Sequence, residues 1–257
     1  MNLLWSMPIP CANPWEPQFN GFFTRQNGEA RFFYLDEGVC AASRLAEQPH
    51  VLHIPKVAGV SLPQNWQLRE DLIPPLLLLT EQSALDLTAL KVVKHDQPLE
   101  KKSAYPSWQL DEYHFDYDAE HLLTCTKNGV KVWQFRMRAY LYTPIRQWQD
   151  LIFFGTAGHG GYLYILRRET GEIVAAIKTC GTVHIAQDEG WCYVLANTPG
   201  ARLLKIDLRT GIIAEEVCLP GKVQYSSLRL MDGEVHAITY LYKAGRLAQA
   251  VWSCTSV

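Results

Sequence analysis

Residues 163–172 read LYILRRETGE, and 40 positions further on residues 203–212 read LLKIDLRTGI. The likeness continues on both sides of this motif. The apolar stretch LIFFGT at 151–156 corresponds to WCYVLA at 191–196, and IVAAI at 173–177 corresponds to IIAEEV at 212–217. No gap is needed between the copies, so the chain contains two consecutive units of one repeat.

Each copy holds several short apolar segments separated by Gly or Asn, which is the pattern of short antiparallel strands. A period near 40 residues with several strands in each unit is typical of the blades of a β-propeller. We therefore predict an all-β fold, with a single β-propeller domain over residues 1–257 and an irregular segment at 1–20. Residues 150–217 are expected to form two consecutive, superposable sheets with Gly171 and Gly211 at equivalent turns.

The spacing of the other strand pairs predicts the number of blades. Pairs are expected to begin near residues 22, 76, 121, 151, 191 and 234, and two of them are hairpins over Asn-Gly turns at 27–28 and 128–129. This spacing predicts six blades, with five and seven as alternatives. Because a closed ring leaves no long exposed edge, a strand from one terminus is expected to complete a sheet begun at the other.

The motif at 163–172 and its copy at 204–211 resemble the blade repeat of the quinoprotein-type (pyrroloquinoline-quinone-like) β-propellers. In that family a strand of the form LYALD runs into a TGE turn. The second copy keeps the acidic residue as Asp207, whereas Arg167 replaces it in the first. Such repeats occur in cofactor-bearing dehydrogenases and in many propellers without a cofactor. The resemblance therefore implies the fold alone, and we predict no cofactor.

Composition excludes several classes of partner. The formal net charge of −2 is too small to attract nucleic acid or a membrane surface. No apolar run reaches the roughly 18 residues of a transmembrane helix, and residues 1–10 lack the basic residue of a secretion signal. The seven cysteines are an odd number without close pairs, which favours free thiols over disulfides or a zinc site. We therefore predict a cytoplasmic protein.

No motif in the chain predicts a catalytic, cofactor-binding or metal-binding residue. The stretch GTAGHGG at 155–161 lacks the lysine of a phosphate loop, so a hairpin connection is favoured, with His159 at its tip as a candidate contact residue. Only His50 and His53 approach the spacing of metal ligands, and no carboxylate or cysteine lies close to them in sequence. Residues 59–63, GVSLP, do not complete a nucleophile elbow.

The most biased segment is DEYHFDYDAE at 111–120, with five carboxylates and three aromatic residues. One interpretation is a loop that contacts a basic protein, since aromatic side chains supply contact area and carboxylates steer a cationic partner. The alternatives are a solvated loop between blades, or aromatic side chains that pack on the protein itself. The candidate contact residues are Asp111, Glu112, Tyr113, Phe115, Asp116, Tyr117 and Asp118.

A second candidate surface follows from the alternation of residues 135–142. In an extended strand one face carries Phe135, Met137, Ala139 and Leu141, and the other carries Arg136, Arg138, Tyr140 and Tyr142. The second face is either the solvent face of an edge strand or a contact surface, and we take Arg136, Arg138 and Tyr140 as candidate contact residues.

Two classes of function remain. The first is a non-enzymatic protein that binds a protein partner, because propellers are rigid and gather their loops at two ends. A specific version is an immunity protein that neutralises a bacterial toxin, with a basic toxin domain as the partner. The alternative is an enzyme, a hydrolase or lyase with its site over the central channel of the propeller.

Overall fold

The computed structural model of the chain describes residues 2–7, 20–26, 29–36, 39–44, 67–89, 91–99, 105–157, 160–181, 184–197, 200–219, 222–231, 234–243 and 246–255. Within these ranges the chain forms strands and turns and no helix, which confirms the all-β prediction for the described part of the chain. It follows that the described residues include no helix long and apolar enough to cross a membrane.

The described residues form the strands β1 to β23. In chain order they are β1 (Asn2–Met7), β2 (Asn20–Gln26), β3 (Glu29–Asp36), β4 (Val39–Arg44), β5 (Gln67–Arg69), β6 (Leu76–Leu78), β7 (Ser83–Asp86), β8 (Lys91–Lys94), β9 (Ser107–Leu110), β10 (Tyr113–Tyr117), β11 (Leu122–Lys127), β12 (Val130–Arg136), β13 (Arg146–Trp148), β14 (Leu151–Gly155), β15 (Tyr162–Arg167), β16 (Ile173–Lys178), β17 (His184–Asp188), β18 (Trp191–Ala196), β19 (Ala201–Asp207), β20 (Ile212–Leu219), β21 (Lys222–Met231), β22 (Glu234–Lys243) and β23 (Arg246–Thr255).

These strands pair into six sheets. In five of them each strand pairs with the next along the chain: β2 to β4, β5 to β8, β9 to β12, β13 to β16 and β17 to β20. The sixth sheet has the order β1-β23-β22-β21. The first strand of the chain thus completes a sheet made by the last three, as the sequence predicts.

The chain divides into two compact units. The first consists of Met7–Lys101 and Tyr242–Gln249, and its sheet β5 to β8 buries Leu77, Leu78 and Leu85. The second, which we call the large unit, consists of Met1–Ser6, Lys102–Leu241 and Ala250–Val257. It contains the three sheets from β9 to β20 and every candidate contact residue. That the whole chain is one domain stays a prediction.

The 40-residue repeat is visible in the pairing of the strands. Leu151 pairs with Arg167 across β14 and β15, and 40 residues on Trp191 pairs with Asp207 across β18 and β19. The last two strands of each sheet slip in register by one residue, at 165/166 in one sheet and at 205/206 in the next. The same slip occurs at 125/126, so the repeat extends back into the sheet β9 to β12, beyond the part visible in the sequence.

Gly171 and Gly211 occupy equivalent turns, which confirms the prediction for residues 150–217. Both have positive φ, +72° and +67°. In each turn the glycine N–H donates to the carbonyl four residues earlier, from Gly171 to Arg167 at 2.9 Å and from Gly211 to Asp207 at 2.8 Å. Glycine adopts this left-handed conformation without the steric cost that a Cβ would add.

The core of the large unit lies between neighbouring sheets. One cluster joins β10 to β12 with β14 and β15, and includes Phe115, Trp133, Phe154 and Tyr164. A second joins the sheet β13 to β16 with the sheet β17 to β20, through residues such as Phe153 and Val194. The second strand β14 is buried along its whole length, as expected for a strand covered on both faces.

Three expectations about the strands are wrong. Residues 113–117 are strand β10 and not a loop. The strand pairs predicted near residues 121 and 151 leave too few residues between them for a four-stranded sheet, and β9 and β10, which precede residue 121, supply the other two strands. Strand β12 ends at Arg136, so residues 137–142 are not a continuous strand. The last sheet of the chain includes β21, which begins at Lys222, twelve residues before residue 234, where the last strand pair was expected to begin.

Candidate protein-contact surface

Each sheet of the large unit has two ends with different loops. Because the strands are consecutive and antiparallel, the turns at 111–112, 128–129 and 168–172 lie at one end, which we call the Gly171 end. The turn at 118–121, the segment 137–145 and the connection at 156–161 lie at the other, which we call the Tyr140 end. Any contact surface made by loops belongs to one of these ends.

The acidic segment is divided between the two ends. Asp111 and Glu112 precede β10 at the Gly171 end, whereas Asp118 and Glu120 follow it at the Tyr140 end. At about 3.3 Å per residue, the strand separates these two groups of carboxylates by roughly 20 Å. The segment 111–120 therefore cannot act as one contact loop.

The three aromatic side chains of this segment belong to the core. Tyr113, Phe115 and Tyr117 share one face of β10, and that face packs against the neighbouring sheet. Phe115 is fully buried, with its ring centroid 5.9 Å from that of Trp133. As candidate contact residues all three are wrong, because a side chain buried in the core offers no area to a partner.

At the Gly171 end the carboxylates are engaged within the protein. Asp111 Oδ2 accepts a hydrogen bond from Arg168 Nη1 at 2.9 Å, and Glu112 Oε1 lies 3.1 Å from Lys127 Nζ. Both cations also cover the ring of Tyr113, with Arg168 at 4.6 Å and Lys127 at 4.8 Å from its centroid. The contacts of Arg168 join the sheets β9 to β12 and β13 to β16, whereas Lys127 pairs with Glu112 inside the first of these sheets. Asp111 and Glu112 thus have a structural role that the sequence does not show.

The carboxylates of Asp116 and Asp118 have local partners. Asp116 is exposed and lies 3.0 Å from Nε2 of His114. Asp118 Oδ1 accepts hydrogen bonds from the backbone N–H groups of Glu120 at 2.9 Å and Leu122 at 3.0 Å. Asp118 thus shapes the turn that leads into β11, which is a common role for aspartate at the start of a turn.

The turn at 118–121 places His121 among tyrosines. His121 has a φ of +60°, and its Nδ1 lies 2.8 Å from the hydroxyl of Tyr117. That hydroxyl also accepts the backbone N–H of Leu141 at 3.4 Å. Burial raises the pKa of Tyr117. The ring of His121 meets that of Tyr140 edge-on, with centroids 4.4 Å apart.

The segment that carries Tyr140 is held by hydrogen bonds to the next sheet. The carbonyl of Tyr140 accepts the N–H of Ala157 at 2.9 Å, and the N–H of Tyr142 donates to the carbonyl of Gly155 at 2.9 Å. Between them Leu141 forms a β-bridge with Thr156. The backbone is fixed, yet the side chains of Tyr140 and Tyr142 are 68% and 58% exposed.

Two arginines flank these tyrosines. Arg136 and Arg138 are both exposed, and Arg136 Nη2 lies 3.2 Å from Glu120 Oε2 in a pair that is open to solvent. Arg138 lies close enough to Tyr164 to oppose the rise in the pKa of that phenol caused by burial. The predicted alternation of exposed and buried side chains is confirmed through residue 142, although hydrogen bonds to the next sheet produce it after Arg136.

We call this region the tyrosine surface, and define it by its exposed or half-exposed side chains: Glu120, His121, Arg136, Arg138, Tyr140 and Tyr142. It contains three residues predicted from the sequence, Arg136, Arg138 and Tyr140. His121 was missed, and the only available signal was the turn-forming DAE that precedes it. His159 lies outside the described residues, so its role stays a prediction.

The surface offers groups for recognition. Tyrosine hydroxyls donate and accept hydrogen bonds, their rings supply apolar area, and arginine supplies a planar cation. Within the described part of the chain, no group of three or more His, Cys, Asp or Glu side chains is arranged to hold a metal ion.

Comparisons with known proteins give no family. No protein-family model matches the chain, and no curated protein matches it significantly. Among solved structures, the chain is similar to BamB from Moraxella catarrhalis, with 12% identity and a TM-score of 0.42 over 87% of this chain and 66% of that one. It is also similar to the WD40 β-propeller domain of Doa1, with 10% identity and a TM-score of 0.38 over 88% of this chain and 79% of that one. At these values neither likeness bears on function.

Proposed function

We propose that the chain is a six-bladed β-propeller that works without catalysis, by binding a protein partner through the tyrosine surface. Six sheets among the described residues support the number of blades, and the pairing of β1 with β23 supports closure by a strand from the other terminus. The repeat of register and of turn glycines supports equivalent blades. A ring of this kind presents its loops on a rigid body.

One observation carries the proposal for the surface: Tyr140 and Tyr142 are more than half exposed on a segment whose backbone is fixed on both sides of Leu141. Exposed tyrosine and arginine are enriched at the centres of protein interfaces. A segment that is already ordered loses little conformational entropy on binding, so more of the contact energy appears as affinity.

A toxin neutralised in the cytoplasm is our more specific proposal for the partner. Its support comes from the exposed carboxylate of Glu120 in the tyrosine surface and those of Asp116 and Asp118 in the same sheet, which would steer a basic domain. Tyr113, Phe115 and Tyr117 are buried and supply no contact area to such a partner. Among the described residues no observation favours the alternative, a hydrolase or lyase.

The proposal is tested by comparing what the wild type and two variants retain from the cytoplasm of the source cell. The test variant is Tyr140→Ala with Tyr142→Ala. The control is Val130→Ala with Ile212→Ala, which removes two exposed side chains at the Gly171 end. A partner that uses the tyrosine surface is retained by the wild type and the control and lost by the test variant. Retention by all three proteins would contradict the assignment of this surface.

A further inference from the structure

Three arginines in the large unit have a buried Nε that makes no hydrogen bond: Arg146, Arg168 and Arg202. Two of them have a carboxylate partner through another guanidinium nitrogen, since Arg168 pairs with Asp111 and Arg202 with Glu216. The side chain of Arg146 makes no hydrogen bond or ion pair with any described residue, although it is half-buried. A buried N–H donor without a partner is costly, and native structures normally supply a hydrogen-bond acceptor.

The position of Arg146 is defined by the repeat. It lies on β13, the first strand of its sheet, and pairs with Phe153 of β14. Phe153 belongs to the core shared with the sheet β17 to β20, so the Arg146 side chain is on the face toward that sheet. Cys192 lies in that core, where burial raises the pKa of its thiol and the charge of Arg146 opposes the rise.

The fold itself does not require a cation at this place. Trp108 and Ala186 occupy the equivalent positions in the sheets before and after, each paired with the residue seven positions on, as Arg146 is. Arg229 occupies the equivalent position in the sixth sheet, paired with His236. Arginine thus occupies this register position in the first strands of two sheets, and Ala186 occupies it in the sheet that comes between them along the chain.

We propose that Arg146 forms the centre of a binding site for a small oxyanion, a phosphate or carboxylate group carried by a small molecule. The guanidinium presents its donors in a planar fork that matches two oxygens of such a group. The half-buried setting strengthens this interaction, because the attraction between charges increases as water is excluded. The proposal is independent of the tyrosine surface, which lies on other residues.

The test is thermal unfolding of the full chain with increasing inorganic phosphate or sodium acetate, against sodium chloride at equal ionic strength. We expect a saturable rise in melting temperature with one or both oxyanions and a smaller rise with chloride. A phosphate-only response would assign the site to phosphorylated ligands, and an acetate-only response to carboxylates. The Arg146→Gln variant is expected to weaken the apparent affinity by about tenfold or more, since a charge-assisted hydrogen bond is lost. An unchanged response in this variant would overturn the proposal.

The control is Arg202→Gln, which removes an arginine with the same buried Nε but with its own carboxylate. It is expected to change the starting melting temperature and to keep the response to the oxyanion. If Arg146→Gln does not fold, the site is tested instead by the nitrogen NMR signal of Arg146 Nε in the wild type. The Arg146→Lys variant identifies that signal by its absence. That signal should move with added phosphate or acetate. A signal that stays fixed with both would contradict the site.

Discussion

Gly211 lies so close to Ala175 that a Cβ added to the glycine would stand 2.3 Å from the Cβ of the alanine. Gly171 is related in the same way to Trp133, with a distance of 2.7 Å to the nearest ring atom. In both cases the turn between the last two strands of one sheet rests on the last strand of the sheet before. The repeated glycine therefore serves both the turn and the close approach of neighbouring sheets.

We predict that Gly211→Ala destabilises the protein through both effects. The positive φ costs an alanine about 1 kcal/mol or somewhat more, and overpacking against Ala175 adds about 1–3 kcal/mol. Gly200→Ala is the matched control, because Gly200 has a φ of +87° and nothing within 4 Å of the added Cβ. Urea unfolding of the two variants measures the difference.

A second substitution separates the cost of overpacking from the cost of the positive φ. Ala175→Gly in the Gly211→Ala background removes the atom that the new Cβ would meet, so it should restore part of the lost stability. Equal destabilisation in Gly211→Ala and Gly200→Ala, or no recovery in the double variant, would show that the sheets do not meet at this turn.

Replacing Asp111 or Asp116 with asparagine is expected to change the free energy of unfolding by different amounts. Asp111→Asn removes the carboxylate that pairs with Arg168, whose side chain is only 15% exposed, so we predict a loss of about 1 kcal/mol. Asp116→Asn removes an exposed carboxylate whose partner among the described residues is His114, and should change stability by less than about 0.5 kcal/mol. Chemical denaturation of both variants tests this, and a larger effect at Asp116 would contradict the contacts at the Gly171 end.

The buried thiols should be protected in the folded protein. Burial raises the pKa of Cys125 to about 11 and that of Cys192 still further, so both are protonated and inaccessible at pH 8. Cys218 is exposed and should react quickly with a thiol reagent. Rapid labelling of Cys125 or Cys192 under native conditions, located by mass spectrometry, would contradict their burial.

The same pKa shifts predict how stability depends on alkaline pH. In the unfolded chain these thiols ionise near the ordinary value of 9.0, whereas in the folded chain Cys125 ionises at about 11. The unfolded state therefore binds fewer protons above pH 9, and stability should fall as the pH rises from 9 toward 11.

After denaturation without reductant all seven thiols of the chain should titrate, and three or fewer would contradict the cytoplasmic prediction.

The fold could be predicted from residues 150–217 because the repeat there is carried by local signals. Each unit has its turn glycine, Gly171 or Gly211, and a strand that is apolar throughout. The same repeat in the sheet β9 to β12 was hidden, since β10 reads YHFDY and its tyrosines look polar. Tyr113 is buried because Lys127 and Arg168 cover its ring, and Arg168 comes from the next sheet. Contacts between residues so far apart in sequence leave no pattern within either segment.

The tyrosine surface could be predicted only in part, because contacts between residues far apart in sequence also shape it. The alternation of charged and apolar residues from Arg136 to Tyr142 correctly separated exposed from buried side chains. It could not show that the strand ends at Arg136, nor that Gly155 and Ala157 hold the backbone of Tyr140 and Tyr142. His121 was not predicted because its place beside Tyr117 and Tyr140 depends on the shape of one turn.

The most direct test of the account is the affinity for an identified protein partner, measured by calorimetry for the wild type and for the Tyr140→Ala, Tyr142→Ala variant. Two tyrosines at the centre of an interface predict a loss of about 2 kcal/mol or more, which is roughly a thirtyfold rise in Kd. The Val130→Ala, Ile212→Ala control should bind as the wild type does. A tyrosine variant with unchanged Kd, or a control that loses affinity instead, would contradict the claim that the protein binds its partner through the tyrosine surface.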